Sequence, residues 1–231
     1  MKLKVCWMYH DIMDLYGDKG NILTLQKRCL DRGIDFDLET CGIGQEKDLS
    51  DFDLVFLGGG ADKEQLSLIP DLLKRKDNIL QALEENTFFL LICGGYQLFG
   101  QYYISANNDM IEGLKINSYH TETGKEKSRC IGNVIIAARL DDLHTKIIGF
   151  ENHIGKNISA NEDIFNEGSF YGTYIIGPIL VRNPKLCSLF IHKLIDSKEK
   201  DFEYGEEDYE FEKKHMKKQL KMHSDGIPKF S

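Results

Sequence analysis

Residues 87–97 read TFFLLICGGYQ and form the most informative segment of the chain. Thr87 to Cys93 is almost entirely apolar and rich in strand-forming residues, a composition typical of a strand buried on both faces of a parallel sheet. Gly94 and Gly95 predict a sharp turn into a following helix. This strand therefore belongs at the centre of a sheet.

Upstream of this segment, short apolar runs alternate with longer amphipathic stretches, as in βα units around a largely parallel sheet. Asp53–Leu57 is a short buried strand that ends in three glycines, Gly58–Gly60. The helical region that follows runs from about Glu64 to Glu85, and Pro70 predicts an interruption in it. These elements place a glycine loop and Cys93 at the ends of neighbouring strands.

The N-terminal part predicts one more unit of the same kind. Leu3–Tyr9 is a strand, and a helix follows from an N-cap at about Asn21 to a terminating glycine, Gly33. Ile34–Leu38 alternates apolar and acidic residues, which is typical of a half-exposed strand near the edge of a sheet.

The second half of the chain is richer in strands and loops. Segments such as Asn133–Ala138, Lys146–Phe150 and Ser169–Ile176 predict a more antiparallel wing of the same domain, and an amphipathic helix follows Pro184. We expect one α/β domain over residues 1–197 and a charged helical extension over residues 198–231. A solvated helix packed by one narrow face and a partner-docking helix both fit this extension.

Composition excludes several classes of protein. A chain of 231 residues with 42% hydrophobic residues can bury a substantial core, and its net charge of -8 creates no basic field for nucleic acid or anionic lipid. No apolar run approaches the roughly 18 to 20 residues of a membrane span, and the N-terminus lacks the apolar region of a signal peptide. Six scattered cysteines suit reduced thiols, so we expect a cytoplasmic protein.

Cys93 is the leading candidate for chemistry. A cysteine between a buried strand and a glycine-led helix describes a nucleophile elbow, in which a tight turn lifts the sulfur out of the sheet. A buried structural cysteine explains the same pattern equally well when Cys93 is taken alone.

Gly58–Gly60 gives the second feature of the candidate site. Strand ends in a parallel sheet line one crevice, so amides of this loop and of Gly94 could form an oxyanion hole facing Cys93. A tight turn without a ligand is the simpler reading of the triplet. A phosphate cradle is disfavoured, because no Gly-Lys-Ser or Gly-Lys-Thr follows and Asp62 has the wrong charge.

Four segments together resemble a known family. Cys93–Gln97 (CGGYQ) resembles the nucleophile motif of class I glutamine amidotransferases, in the branch related to cobyric acid synthase. Three further segments are similar to the glutaminase subunit of lipid II isoglutaminyl synthase: Tyr16–Asn21 (YGDKGN), Gly58–Gln65 (GGGADKEQ) and Gly149–His153 (GFENH). The resemblance implies a three-layer, flavodoxin-like α/β domain.

The resemblance also implies an activity and a set of partners. In that family the subunit hydrolyses L-glutamine and passes ammonia to a Mur-ligase-like synthetase subunit, which amidates the D-glutamate of the lipid II stem peptide. The two subunits would form a heterodimer. No cofactor or metal is implied in this chain, because ATP and Mg belong to the partner.

Site residues carry over by motif. Cys93 would be the nucleophile, and the amides of Gly59, Gly60 and Gly94 would hold the oxyanion. Gln97 would line the substrate pocket. Arg129 resembles a family arginine that contacts glutamine, where a cation suits the α-carboxylate, although a solvated surface charge is the commoner role of a loop arginine.

The chain departs from the family at the second catalytic position. The family motif reads Gly-Thr-Tyr, one variable residue, then His-Gly-Pro, and here Ile176 stands where histidine belongs. An aliphatic side chain can neither activate a thiol nor protonate leaving ammonia. His153 and His192 are the other histidines with supporting context, but neither occupies the matching position.

Three hypotheses follow. The chain is a glutaminase subunit whose turnover Ile176 impairs, or a catalytically silent pseudo-amidotransferase that binds glutamine or scaffolds a partner. A flavodoxin-like nucleotide or regulator domain is the weakest of the three. The first two share one fold and one complex, so chemistry at Cys93 separates them.

Overall fold

The computed structural model describes most of the chain: residues 1–105, 108–123, 130–140, 143–153, 155–158, 164–199, 210, 214, 216–218 and 220–221. The strands within these residues are β1 (Lys2–Met8), β2 (Asp35–Cys41), β3 (Leu54–Leu57), β4 (Phe88–Ile92), β5 (Tyr102–Ile104), β6 (Met110–Glu112), β7 (His120–Thr123), β8 (Cys130–Leu140), β9 (Leu143–His153), β10 (Gly155–Ile158), β11 (Ile164–Glu167) and β12 (Phe170–Thr173). The helices are α1 (Lys19–Leu30), α2 (Asp62–Lys74), α3 (Lys76–Glu84), α4 (Gly94–Leu98), α5 (Ile179–Arg182) and α6 (Pro184–Lys198), with a 3-10 turn at Leu49–Asp51.

A six-stranded, largely parallel sheet forms the centre of the fold. Its strand order is β11-β12-β4-β3-β1-β2, and all neighbours are parallel except β11 and β12. Every residue of β3 and β4 is buried, as expected for apolar strands covered on both faces, while β2 lies at the edge. The α/β fold, the central β4 and the edge position of β2 confirm the sequence predictions.

The antiparallel wing is only partly as predicted. Strands β8 and β9 form a long two-stranded hairpin, and β5, β6, β7 and β10 form a separate sheet. The segment Ser169–Ile176 was wrongly assigned to this wing, because β12 pairs in parallel with β4 from Phe170 opposite Phe89 to Thr173 opposite Ile92. All four residues of β12 are buried, which suits an interior strand of the central sheet.

Two predicted helix features were also wrong. Helix α1 begins at Lys19, and Asn21 is no N-cap, because it is fully buried and its Oδ1 accepts the Leu180 amide at 2.9 Å. The helical region after β3 breaks at Arg75, while Pro70 lies inside α2. For Asn21, a long-range contact outweighs the local preference on which the prediction rested.

A buried asparagine anchors the chain that leads out of the site. The Asn183 Oδ1 accepts the Ile148 amide, and its Nδ2 donates to the carbonyls of Ile148 and Ile179, each at 2.8 Å. These bonds join β9 to α5 and thereby fix the segment between β12 and α6. Helix α6 confirms the helix predicted after Pro184.

The extension predicted over residues 198–231 lies mostly outside the described residues, so this domain division stays a prediction. All six cysteines lie in the described part and remain as thiols. No helix of the described part has both the length and the apolar composition that crossing a bilayer requires.

Candidate active site

Cys93 occupies a strained turn between β4 and α4. Its backbone has φ 50° and ψ -108°, a region that non-glycine residues rarely adopt and that costs about 1–3 kcal/mol. Its amide donates to the Thr173 carbonyl at 2.7 Å, and its carbonyl accepts the Gln97 amide at 3.0 Å. Hydrogen bonds on both sides thus hold the strained conformation of a nucleophile elbow.

Glycine is required on both positions after Cys93. A Cβ on Gly95 would lie 2.8 Å from the carbonyl oxygens of Leu57 and Gly58, and a Cβ on Gly94 would lie 2.5 Å from the buried Gln65 Nε2. Such contacts are closer than side-chain carbons tolerate. The turn therefore packs directly against the end of β3, as the sequence predicted.

The glycine loop after β3 lies beside Cys93. A Cβ built on Gly59 would be 3.4 Å from the Cys93 Cβ. The Gly59 amide, however, donates to the Asp18 Oδ2 at 2.9 Å. The prediction that this amide contributes to an oxyanion hole is therefore not supported by the structure, because the donor is already paired.

The amides of Gly60 and Gly94 remain candidates for the oxyanion hole. In the described part of the chain, no carbonyl or side chain accepts a hydrogen bond from either of them. The Gly60 carbonyl is held by the Gln65 Nε2 at 2.9 Å, so the loop is anchored on its helix side as well. Their role as oxyanion donors stays a prediction.

Gln97 lies in a buried polar cluster next to Cys93. Its Oε1 accepts the Gln65 Nε2 at 3.4 Å, and its side chain also forms a hydrogen bond with Tyr174. The Tyr174 and Thr121 hydroxyls share a hydrogen bond of 2.8 Å. Burial and the neighbouring Cys93 nevertheless hold the pKa of Tyr174 well above its ordinary value, so the phenol stays neutral.

Ile176 is buried where the resemblance places a histidine. It is 1% exposed, and its backbone forms a bridge with Phe150, with the Ile176 amide donating to the Phe150 oxygen at 2.8 Å. Its neighbour Ile175 packs on Gly149, where a Cβ would come 1.9 Å from the Ile175 Cγ2. The segment is thus fixed by its backbone, and Ile176 supplies no ionisable group.

Of the two other histidines considered, only His153 lies near this region. Its side chain is 8% exposed, its ring centroid is 4.5 Å from that of Tyr174, and its Nε2 is 3.9 Å from a Glu151 oxygen. His192 is exposed on α6, where burial of part of its ring lowers its pKa. Of these two histidines, His153 is therefore the one that contacts Tyr174, a neighbour of Cys93.

The sequence of residues 4–183 matches the CobB/CobQ-like glutamine amidotransferase domain. The chain belongs to this family. Two relatives are named lipid II isoglutaminyl synthase (glutamine-hydrolyzing) subunit GatD. The one from Streptococcus pneumoniae is 33% identical over 80% of this chain and 78% of its own length, and the one from Staphylococcus aureus is 32% identical over 89% of this chain and 90% of its own length.

One more distant relative and one solved structure also match. A cobyric acid synthase from Caldanaerobacter subterraneus is 26% identical over 47% of this chain and 28% of its own length. A solved structure of a glutamine amidotransferase aligns over 82% of this chain and 97% of that chain, with a TM-score of 0.47 and 13% identity.

Asp18 lies against the glycine loop beside Cys93, and the sequence assigned it no role. It is fully buried and lies in the quoted segment Tyr16–Asn21. Burial raises the pKa of Asp18 from 3.8 to about 6, the Gly59 amide opposes this shift, and the nearby Asp14 adds to it. An aspartate before a helix normally indicates a local cap, so residue type alone did not point to a contact with the glycine loop. The presence of Asp18 in the family-like segment was the one sequence signal of a further role.

The raised pKa of Asp18 predicts a specific dependence of stability on pH. Ionising the buried carboxyl costs the folded state about 3 kcal/mol, so this contribution to stability is present below about pH 4 and is lost as the pH rises through about 6. Asp18→Asn removes the charge and keeps an acceptor for Gly59. Between pH 4 and pH 8, we expect the free energy of unfolding of the variant to rise by about 2 kcal/mol relative to that of the parent.

Urea unfolding of both proteins at the two pH values measures this difference. A difference between variant and parent that is the same at both pH values would contradict the assignment. Asp14→Asn is the comparison variant, because it keeps the Asp18 carboxyl and its bond to Gly59. It should retain most of the pH dependence of the parent and lose only the part that the Asp14 charge adds to the pKa of Asp18.

Two further points complete the site. Arg129, predicted to contact glutamine, lies outside the described residues, and its role stays a prediction. Among the residues that the structure describes, no group of three or more His, Cys, Asp or Glu side chains could hold a metal ion.

Proposed function

We propose that this chain is the glutamine-hydrolysing subunit of an enzyme that amidates the D-glutamate of the lipid II stem peptide, and that Ile176 makes its turnover slow. The observation that carries the proposal is the strained elbow at Cys93, which packs against the glycine loop. The chain is also 32–33% identical to two GatD subunits, which supports the assignment. A Mur-ligase-like partner would receive the ammonia. This chain would need no cofactor of its own, because ATP and Mg would bind to that partner in the cytoplasm.

The reaction would proceed through a thioester. The Cys93 sulfur attacks the carboxamide carbon of glutamine, a C–S bond forms, and the carbonyl electron pair moves onto oxygen, where the Gly60 and Gly94 amides stabilise the charge. When the intermediate collapses, the C–N bond breaks and ammonia leaves with an added proton. Water then cleaves the thioester, which releases glutamate and restores the thiol.

Ile176 affects both proton transfers in this scheme. A histidine would accept the thiol proton and return it to the departing nitrogen, whereas the sec-butyl side chain of isoleucine does neither. Solvent would have to supply and remove these protons. A free thiol with a pKa near 8.5 is only a few per cent ionised at neutral pH, which adds to the loss of rate.

Transfer of isotope from glutamine to product tests the proposal. The chain, its Mur-ligase-like partner, ATP, Mg and lipid II are incubated with glutamine carrying ¹⁵N in the side-chain amide, and mass spectrometry follows the label into the product amide. We expect slow but measurable transfer. Ammonium chloride in place of glutamine is the control that shows a competent partner.

The buried Ile176 also favours a second candidate, a silent subunit that binds glutamine or supports the partner. That function predicts amidation from ammonium and none from glutamine, even over long incubation. Transfer of label from glutamine that is lost on substitution of Cys93 would exclude it.

A further inference from the structure

Asp18 does not perform the task that its position suggests. It precedes α1, where an aspartate ordinarily accepts an amide of its own helix, yet its side chain makes no cap hydrogen bond. The Asp14 Oδ1 takes the Lys19 amide instead, at 2.8 Å. Asp18 is fully buried and bonds to Gly59, 41 residues away along the chain.

The segment that contains Asp18 forms hydrogen bonds with both the N–H and the C=O of Gly59. The Asp18 Oδ2 accepts the Gly59 amide at 2.9 Å, and the Leu15 amide donates to the Gly59 carbonyl at 3.1 Å. In a trans peptide the C=O and the next N–H point in opposite directions. The Gly60 N–H is therefore turned away from Leu15 as long as Gly59 is held.

The hydrogen bonds that hold Gly59 lie next to Cys93. The Cβ position of Gly59 lies 3.4 Å from the Cys93 Cβ and 3.6 Å from the Asp18 Oδ2, so the loop runs between the carboxylate and the elbow. The Gly60 carbonyl is fixed by Gln65, whereas the Gly60 N–H has no acceptor in the described part of the chain.

The stability of the fold does not explain why position 18 carries a carboxylate. A buried charge without a cation is unfavourable, and the Asp18 Oδ1 has no hydrogen-bond partner of normal geometry among the described residues. The hydrogen-bond donors that face this group are backbone amides, Gly59 at 2.9 Å and, from its own segment, Tyr16.

We propose that Asp18 is a positioning residue, which acts through Gly59 to orient the Gly60 amide toward the oxyanion that forms on Cys93. The inference rests on the proposed glutamine hydrolysis and deepens it. Asp18 touches neither the substrate nor the sulfur in this role. It holds the Gly59 N–H, one peptide before the donor, while Leu15 holds the Gly59 carbonyl of the donor's own peptide. Loss of the carboxylate would therefore loosen the loop at Gly59 and weaken stabilisation of the oxyanion without changing access to the thiol.

Two electrophiles separate these effects. The chloromethyl ketone analogue of glutamine gains negative charge on its ketone oxygen as the thiolate attacks and chloride leaves, so its reaction depends on the oxyanion hole. Iodoacetamide alkylates the same thiol by direct displacement of iodide. Mass spectrometry of intact protein and of peptides measures both labelling rates at Cys93. Their ratio reports how well the oxyanion hole stabilises negative charge, and it does not require turnover.

We expect Asp18→Ala to lower the chloroketone rate at least about 10-fold and to leave the iodoacetamide rate within about twofold, since a lost oxyanion donor costs up to about 10³-fold in rate. Asp18→Leu fills the space without an acceptor and serves if the alanine variant folds poorly. Asp18→Asn, which can still accept the Gly59 amide, restores most of the chloroketone rate. Asp14→Ala, the matched control, leaves both rates unchanged.

The outcomes distinguish this inference from the proposed function. A parent protein that reacts no faster with the chloroketone than with iodoacetamide overturns the proposed function and the role of Asp18 together. A parent that prefers the chloroketone, combined with alanine and leucine variants that keep the same preference, overturns the role of Asp18 alone. An asparagine variant as slow as the alanine variant also overturns it, because the hydrogen bond to Gly59 would then not be the cause.

Discussion

Ile176→His is expected to raise the rate of ammonia release from glutamine by about 10²- to 10⁴-fold, the range that general acid-base catalysis contributes. The backbone at this position is already held by the bridge to Phe150, so the substitution changes the side chain without moving the chain. The imidazole would follow Thr173 and Tyr174, which lie next to the elbow. The measurement is a coupled assay of ammonia or glutamate, alone and with the partner subunit.

The same variant should acquire a pH dependence that the parent lacks. A new limb is expected near the ordinary histidine pKa of about 6.5, because the neutral imidazole is the form that accepts the thiol proton. Ile176→Gln is the control, since its side chain is polar but does not titrate, and it should remain as slow as the parent. If Ile176→Gln raised the rate as much as Ile176→His does, the cause would be the polarity of the side chain and not acid-base catalysis.

Fast turnover by the parent would contradict this prediction. It would show that another base serves Cys93, and His153 is the candidate that the structure provides, with its buried ring against Tyr174 and its Nε2 3.9 Å from Glu151. His153→Gln in the parent would then abolish the rate. In the Ile176→His background, the same substitution should have little effect.

Cys93→Ala is expected to abolish glutamine hydrolysis in the parent and to remove about 10⁴- to 10⁶-fold of the rate in the Ile176→His background, as loss of a nucleophile does in enzymes with a covalent intermediate. No other group of the scheme can form the thioester. Alanine and cysteine both carry a Cβ, so the backbone strain at this position is similar in the variant and the parent. The hydrogen bonds to Thr173 and Gln97 use backbone atoms only and should keep the turn in place.

Cys130 offers a matched control for this prediction. It is the half-exposed cysteine of the described residues, at the start of β8, whereas the other five are buried. Cys130→Ala should leave ammonia release and chloroketone labelling unchanged. Ammonia release that survives in Cys93→Ala would mean that the elbow is structural, and the proposed function would fail.

Local sequence patterns predicted the elements that local physics controls. The all-apolar run before Cys93 predicted an interior strand, and the glycines after it predicted a turn that other residues would obstruct. The alternation in Ile34–Leu38 predicted an edge strand, which β2 is. The same kind of reasoning was wrong for Asn21, because a side chain suited to capping formed a bond to Leu180 instead.

The sequence by itself determined the strand, elbow and glycine loop of this protein, and it placed an isoleucine at position 176, because these features depend on residue type, hydrophobic period and backbone freedom over a few neighbouring positions. Only the tertiary structure decided that β12 lies beside β4, that Tyr174 meets Thr121, and that Asp18 holds Gly59. Each of these contacts joins segments that are far apart in the chain, so it exists only when the whole core packs. A local pattern contains no information about which distant group will be within hydrogen-bond reach.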